Sequence, residues 1–302
     1  MTVQQLPFDK PGRFWKGNLH THSLRSDGAY SAEEVCRRYR ESGYDFLALT
    51  DHFLPRYDYP ITDTQPFRTA AFTTILGAEL HTDLTEMGEM WHILAVGLPF
   101  DFARPAADES AAALAARARA AGAYVAVAHP SWYGLTERDI AALGMVDAIE
   151  VYNGVAIDHN GHANSWPLAD VQLGRGARYL VCATDDFHGT KNRHDFRRGW
   201  VMVKSTALEP ETLLTALKAG HYYSSTGPEI HDIQIEPGQK LTVRCSPAHH
   251  VFVTGKGSKG VAAQGNGAIQ FELSLENFTS PYCRVTVRTA HGGQAWSNPI
   301  WF

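Results

Sequence analysis

Histidines and carboxylates recur where short β-like runs of this chain end. His20 and His22 form H-x-H after GNL, Asp27 follows in SDG, and Asp51 and His52 follow LALT. Glu79 ends GAE, His92 lies in WHILAVG, His129 follows YVAVA, and Asp186 and His188 form D-x-H after CATD. Side chains alternate along an extended segment, so both imidazoles of H-x-H share a face. Imidazole and carboxylate are the ligands of zinc, manganese and iron. His20, His22, Asp27, His52, Glu79, His92, His129, Asp186 and His188 would suffice for more than one ion if they converged. A single H-x-H is weak evidence; one with TDH, a strand-end Glu, HP and D-x-H in register behind it is not. No P-loop, G-x-G-x-x-G or G-x-S-x-G is present, which argues against nucleotide-loop and serine-nucleophile chemistry.

The elements that would position these residues alternate. From residue 16 to about 226, β-rich runs end at His20, Thr50, Leu80, His129, Tyr152 and Thr184, and two more begin at Trp91 and Trp200. Helical stretches lie between them at 31–42, 106–121, 136–143 and 211–219, the first opened by the capping-box spacing Ser31-x-x-Glu34. That pattern predicts parallel strands joined by crossover helices, either a barrel or a doubly wound sheet, with the functional residues gathered at one end of the strands. After Gly227 the helical periodicity stops. Runs such as KLTVRC, HVFVTG and CRVTVRT predict a small all-β sandwich over 228–302, packed on a first domain spanning 1–227.

Composition excludes other classes. The 302 residues are 44% hydrophobic and 20% charged, with 27 Lys+Arg against 32 Asp+Glu and no basic stripe for a nucleic-acid polymer. The longest apolar run of the helical stretches, residues 111–116, is far short of the roughly 20 residues that cross a bilayer. The N-terminus MTVQQLPF lacks a basic start with an apolar stretch, and the four cysteines are scattered, so a cytoplasmic location with reduced thiols is expected.

The ordered motifs GNLHTHSLRSDG, LALTDH, GAE, WHILAVG, VAHP, IEVYN and ATDDFHG resemble the PHP (polymerase and histidinol phosphatase) superfamily over residues 16–226. The resemblance implies a distorted (β/α)7 TIM-like barrel with two or three divalent ions, zinc, manganese or iron. It assigns His20, His22, Glu79 and Asp186 to a first ion, bridging Glu79 with His92 and His129 to a second, and Asp27, His52 and His188 to a third. Some relatives carry His where this chain has Asp27. Glu79, Asp186 and His188 are the catalytic residues by the same implication. Three divalent ions outweigh three carboxylates, so the cluster would stay cationic, favour an anionic substrate and acidify a water that attacks phosphorus or a carbonyl carbon. The β-rich tail ending in AWSNPIWF resembles a branch that includes hydrolases of carbamate insecticides.

A small phosphate ester is therefore the first expected substrate. A carbamate or carboxylic ester comes second, and a non-catalytic metal-binding interaction module third. Arg25, Asn153 and Arg197 are the expected substrate contacts; Lys191, Arg193, His194 and Arg198 are further loop cations. Asp51 and Asp185 should face away from the ions, and each could orient a neighbouring histidine. His81 shares a face with Glu79, as a substrate contact or a polar filler. Trp132 and Tyr133 either line a pocket for a ring or pack in the core, and His159 and His162 lie in a loop. Oligomeric state is not set by these residues.

Overall fold

The computed structural model describes residues 5–302; Met1 to Gln4 of the N-terminal stretch MTVQQLPF lie outside them. The strands are β1 Arg13–Asn18, β2 Phe46–Leu49, β3 His52–Phe53, β4 Thr73–Leu84, β5 Met90–Val96, β6 Tyr124–Val127, β7 Ala148–Asn153 and β8 Leu180–Thr184. They continue as β9 Trp200–Ser205, β10 Tyr222–Ser225, β11 Ile230–Glu236, β12 Lys240–Thr254, β13 Gly260–Ser274, β14 Tyr282–Arg288, β15 Gln294–Ser297 and β16 Ile300–Trp301. The α-helices are α1 Ala32–Glu41, α2 Ala111–Ala120, α3 Glu137–Leu143, α4 Val155–His159, α5 Trp166–Gly174 and α6 Pro210–Lys218. Ser31 caps α1 as its spacing predicts, accepting from Glu34 N–H. Helix α2 is shorter than the expected stretch 106–121 because Ser110, not Ala106, supplies the cap.

All sixteen strands belong to one mixed sheet in the order β11-β12-β14-β15-β10-β9-β1-β2-β4-β5-β6-β7-β8. β13 adds to β12, β16 to β14 and β3 to β4. Two parallel groups, β1-β2-β4 and β6-β7-β8, carry the expected crossovers. The expectation of parallel strands throughout fails at β5, which is antiparallel to β4 and to β6. The reason is length. Only residues 85–89 separate β4 from β5, enough for a hairpin and too few for a crossover. β9 is likewise antiparallel to β1.

Nor does the sheet close into a barrel. At the open edge of β8, Val181 N–H donates to Asn298 Oδ1 at 2.9 Å, and Ser224 Oγ donates to Val181 O at 3.3 Å. Side chains thus satisfy backbone groups that a closing strand would have paired. Beyond the strand ends, Thr21 and Phe187 form a single parallel bridge. The C-terminal strands are not a free-standing sheet either, since β15 pairs with β10 through Tyr223, Ser224 and Ser225. They keep a core of their own around Val243, Val251, Phe271, Val285 and Val287. Arg284 ties them to α5 by a two-pronged ion pair with Asp170, at 2.9 and 2.7 Å.

One face of the curved sheet explains where chemistry is placed. Phe46, Ile75, Leu94, Ala126, Ala148 and Cys182 meet in a core closed by Leu213 and Leu217 of α6. Moving along the same face in steps of two, Ile75 leads to Glu79, Leu94 to His92, Ala148 to Glu150 and Cys182 to Asp186. The apolar end is sealed, and the ionisable end lies where the parallel strands finish. We predict that Asn298→Ala, which leaves the buried Val181 N–H without an acceptor, lowers unfolding stability by about 1–3 kcal/mol in urea denaturation. An unchanged midpoint would contradict the role given to this side chain.

Candidate metal centre

Glu79 is fully buried, a charge that the fold must compensate. It does so with imidazoles. Glu79 Oε1 lies 2.7 Å from His92 Nδ1, 3.0 Å from His129 Nε2 and 3.4 Å from His20 Nε2. Glu79 Oε2 lies 2.6 Å from His52 Nδ1, 3.6 Å from His81 Nε2 and 3.7 Å from His22 Nε2. Burial would raise its pKa, yet His92, His52 and His20 hold it well below the usual carboxylate range. The register produces this convergence. β3 pairs His52 directly with Glu79, and β5 sets His92 opposite His81.

Around this centre, His22 Nε2 is 3.0 Å from Asp186 Oδ1 and His20 Nε2 is 3.4 Å from it. A second, more open pocket joins Asp27 Oδ1 to His52 Nε2 and His188 Nε2, each at 3.4 Å, and to His22 Nδ1 at 3.9 Å. Four sets of donor atoms close enough to share a cation result: His22/Asp27/His52/His188, His52/Glu79/His81/His92, His20/His22/Glu79 and His20/His129/Asp186. His20 Nε2, Glu79 Oε2 and His129 Nδ1 are buried without a hydrogen-bond partner. Orphaned polar atoms are rare in buried positions, and atoms of these types are what a divalent cation would satisfy. The donor set therefore fits divalent metal ions.

No family model matches the chain. A stretch of 37 residues is 49% identical to the DNA polymerase/3′-5′ exonuclease PolX of Bacillus subtilis, which is 12% of this chain and 6% of that protein. Over the whole chain the structure is similar to a two-domain protein from Bacteroides vulgatus described as containing a predicted PHP-like metal-dependent phosphoesterase. The likeness has a TM-score of 0.54 at 14% identity and covers 99% of both chains. The chain adopts the PHP-like fold. A putative metal-dependent phosphoesterase from Bifidobacterium adolescentis (TM-score 0.40, 15% identity, 58% of this chain and 89% of that one) is a more distant likeness. So is an amidohydrolase from Chromobacterium violaceum (0.41, 16%, 59% and 89%).

In this fold the nine histidines and carboxylates singled out by spacing all come together, with Asp27 the most exposed. The expected substrate contacts fall elsewhere. Asn153 is buried, and its Nδ2 donates to Glu150 Oε2 at 2.9 Å and Asp186 Oδ2 at 3.1 Å, so it orients carboxylates instead of facing solvent. Arg25 and Arg197 do not line the cavity of about 840 Å³ that opens beside the cluster; Arg56 and Arg193 do. Trp132, Tyr133, Met87 and Met90 give this cavity an apolar side, and His159 and His162 also line it. The Tyr133 ring packs on His92 and His129, 4.4 and 4.9 Å between centroids.

Asp51 and Asp185 face away, as alternation predicts. Asp51 accepts from Ser23 N–H, Ser23 Oγ, Ser26 Oγ and Thr62 Oγ1, fixing the turn after H-x-H. Gly28 is required in that turn, because a Cβ would lie 2.6 Å from the His22 carbonyl. Asp185, pushed up to about 6 by burial, is held by Tyr39 and by the N–H groups of Arg197, Arg198 and Gly199. His129 and Asp186 adopt φ of +28° and +53°, a strained conformation that turns each side chain inward.

Spacing alone missed Glu150. This buried carboxylate accepts from His129 N–H at 2.6 Å and Asn153 Nδ2 at 2.9 Å, and lies 3.0 Å from His20 Nδ1. Accepting from Nδ1–H leaves the His20 Nε2 lone pair pointing inward. The signal was present in AIEVY, where a glutamate in an apolar strand needs a partner. Glu150→Gln should weaken zinc binding by about 10–100-fold while the far-ultraviolet circular dichroism stays native, as measured against a chromophoric chelator. Unaltered affinity would contradict this role.

Proposed function

We propose that this protein is a metal-dependent phosphoesterase that hydrolyses a small phosphate ester at the Glu79 centre. The observation that carries the reading is the convergence of His20, His22, Asp27, His52, Glu79, His92, His129, Asp186 and His188 on one end of a PHP-like fold, with buried donor atoms left unpaired. Two or three ions of zinc, manganese or iron fit these sets, which His and carboxylate donors do not distinguish. When bound, they supply Lewis acidity and an acidified water. Glu79, Asp186 and His188 are the residues assigned to the reacting centre. Residues 1–227 are assigned to the part that builds it and residues 228–302 to the β-rich flank.

The chain's own groups account for binding. Arg56 and Arg193 are cations on the wall of the cavity, where an arginine can hold a phosphate by two parallel hydrogen bonds. Burial, and then the charges of Glu79 and Asp186, raise the Tyr133 phenol above its ordinary value, so it remains a hydrogen-bond donor beside His92 and His129. Trp132, Met87 and Met90 offer apolar surface to the organic arm of the ester. That surface also favours a second reading, hydrolysis of an aryl carbamate or carboxylic ester at the same centre. Four unpaired buried thiols suit a reducing compartment such as the cytosol, and no helix among the described residues is long and apolar enough to cross a membrane.

The test compares the manganese- or zinc-loaded protein on an aryl phosphate monoester, an aryl phosphodiester and an aryl methylcarbamate. Faster turnover of a phosphate, lost together with bound metal in His20→Ala and Asp186→Ala, is the expected result. A carbamate preference would move the assignment to the second reading, and full activity in either variant would overturn the site.

A further inference from the structure

His52 stands between two pockets. Its Nε2 is 3.4 Å from Asp27 Oδ1, while its Nδ1 is 2.9 Å from His81 Nε2 and 2.6 Å from Glu79 Oε2. A neutral imidazole has one N–H and one lone-pair nitrogen, so the nitrogen that serves a cation leaves the proton on the other. His81 faces one of them. Its Nδ1 lies 3.2 Å from the main-chain carbonyl of Trp91. A carbonyl only accepts, so the His81 proton sits on Nδ1 and its Nε2 presents a lone pair to His52. His81 is buried at 3% exposure, where no water competes for that lone pair.

We propose that His81 is a positioning residue. The run from the Trp91 carbonyl through His81 to His52 holds His52 in its Nδ1–H form and thereby aims the His52 Nε2 lone pair at the pocket of Asp27, His22 and His188. Glu79 Oε2, the other neighbour of His52 Nδ1, makes no hydrogen bond with it, but its negative charge favours the same form. Glu79 faces five further imidazoles as well, whereas His81 is anchored on its far side by the backbone and has His52 Nδ1, at 2.9 Å, nearer its Nε2 than Glu79 Oε2, at 3.6 Å. The placement follows from strand register. β3 pairs His52 with Glu79, and His81 lies two residues beyond Glu79 on the same face, beside the Trp91 carbonyl of the paired strand. The inference rests on the reading of this centre as a cation site.

The full-length protein, stripped and reloaded with zinc, is dialysed against a graded chelator, and the zinc retained per chain is measured by elemental analysis. We expect His81→Phe to weaken the most loosely held zinc by about 10–100-fold. His81→Gln, whose amide oxygen can accept from His52 Nδ1–H, should hold zinc as the parent does. Zinc retention by the parent with both variants unchanged overturns the role of His81 alone; no zinc retained by the parent overturns the underlying reading of the centre. Should His81→Phe fail to fold, long-range proton–nitrogen NMR of the zinc-loaded parent, assigned with His52→Gln, decides. The expected signature is His52 protonated at Nδ1. Protonation at Nε2, or a His81 Nε2 shifted as a zinc ligand, overturns the proposal.

Discussion

Glu79 is a carboxylate with no exposure to solvent, and the rest of the site is arranged to make that tolerable. An isolated charge in such a place is strongly disfavoured, so groups of opposite or inducible charge must surround it. Six imidazoles do, drawn from segments as far apart in the chain as His20 and His129. Each of these residues lies at or just beyond the end of a strand, or on the β4-β5 hairpin. The sheet therefore has to bring those ends together before the charge is compensated. The short hairpin matters here, because it brings His92 back to Glu79 from the antiparallel direction.

Around that centre a layer of polar contacts sets which atom each ligand candidate presents. Glu150 holds His20 and the His129 backbone, Asn153 holds Glu150 and Asp186, and the Asp186 carbonyl holds His188 Nδ1 at 2.8 Å. Asp51 and Asp185, pointing outward, fix the two loops that carry the H-x-H and D-x-H motifs. Orientation of this kind explains why lone pairs such as His20 Nε2 face inward without partners, and why two residues of the site accept a left-handed backbone.

Much of the site was legible in the chain because strand ends are marked by composition. An apolar β-branched run that stops at His, Asp or Glu announces both the strand and the polar end, and H-x-H and D-x-H report their face through the period of two. Direction and closure were not marked. WHILAVG reads the same whichever way it runs, and only the five residues before it exclude a crossover. The gap beside β8 depends on Asn298, 117 residues away from Val181, which no local pattern reveals. Substrate contacts were the least legible. Arginines on loops next to ligand motifs look alike in sequence, and Arg56 and Arg193, not Arg25 and Arg197, face the cavity. Asn153 stands at a strand end, but Glu150 three residues earlier takes its amide.

The central claim is that the Glu79 cluster is a divalent-cation centre. Crystals of the zinc- or manganese-loaded protein, measured across the absorption edge of that metal, test it directly. The account predicts anomalous-difference peaks within bonding distance of Glu79 and its surrounding imidazoles. Crystals in which the loaded metal appears only elsewhere, with no peak at Glu79, would contradict it.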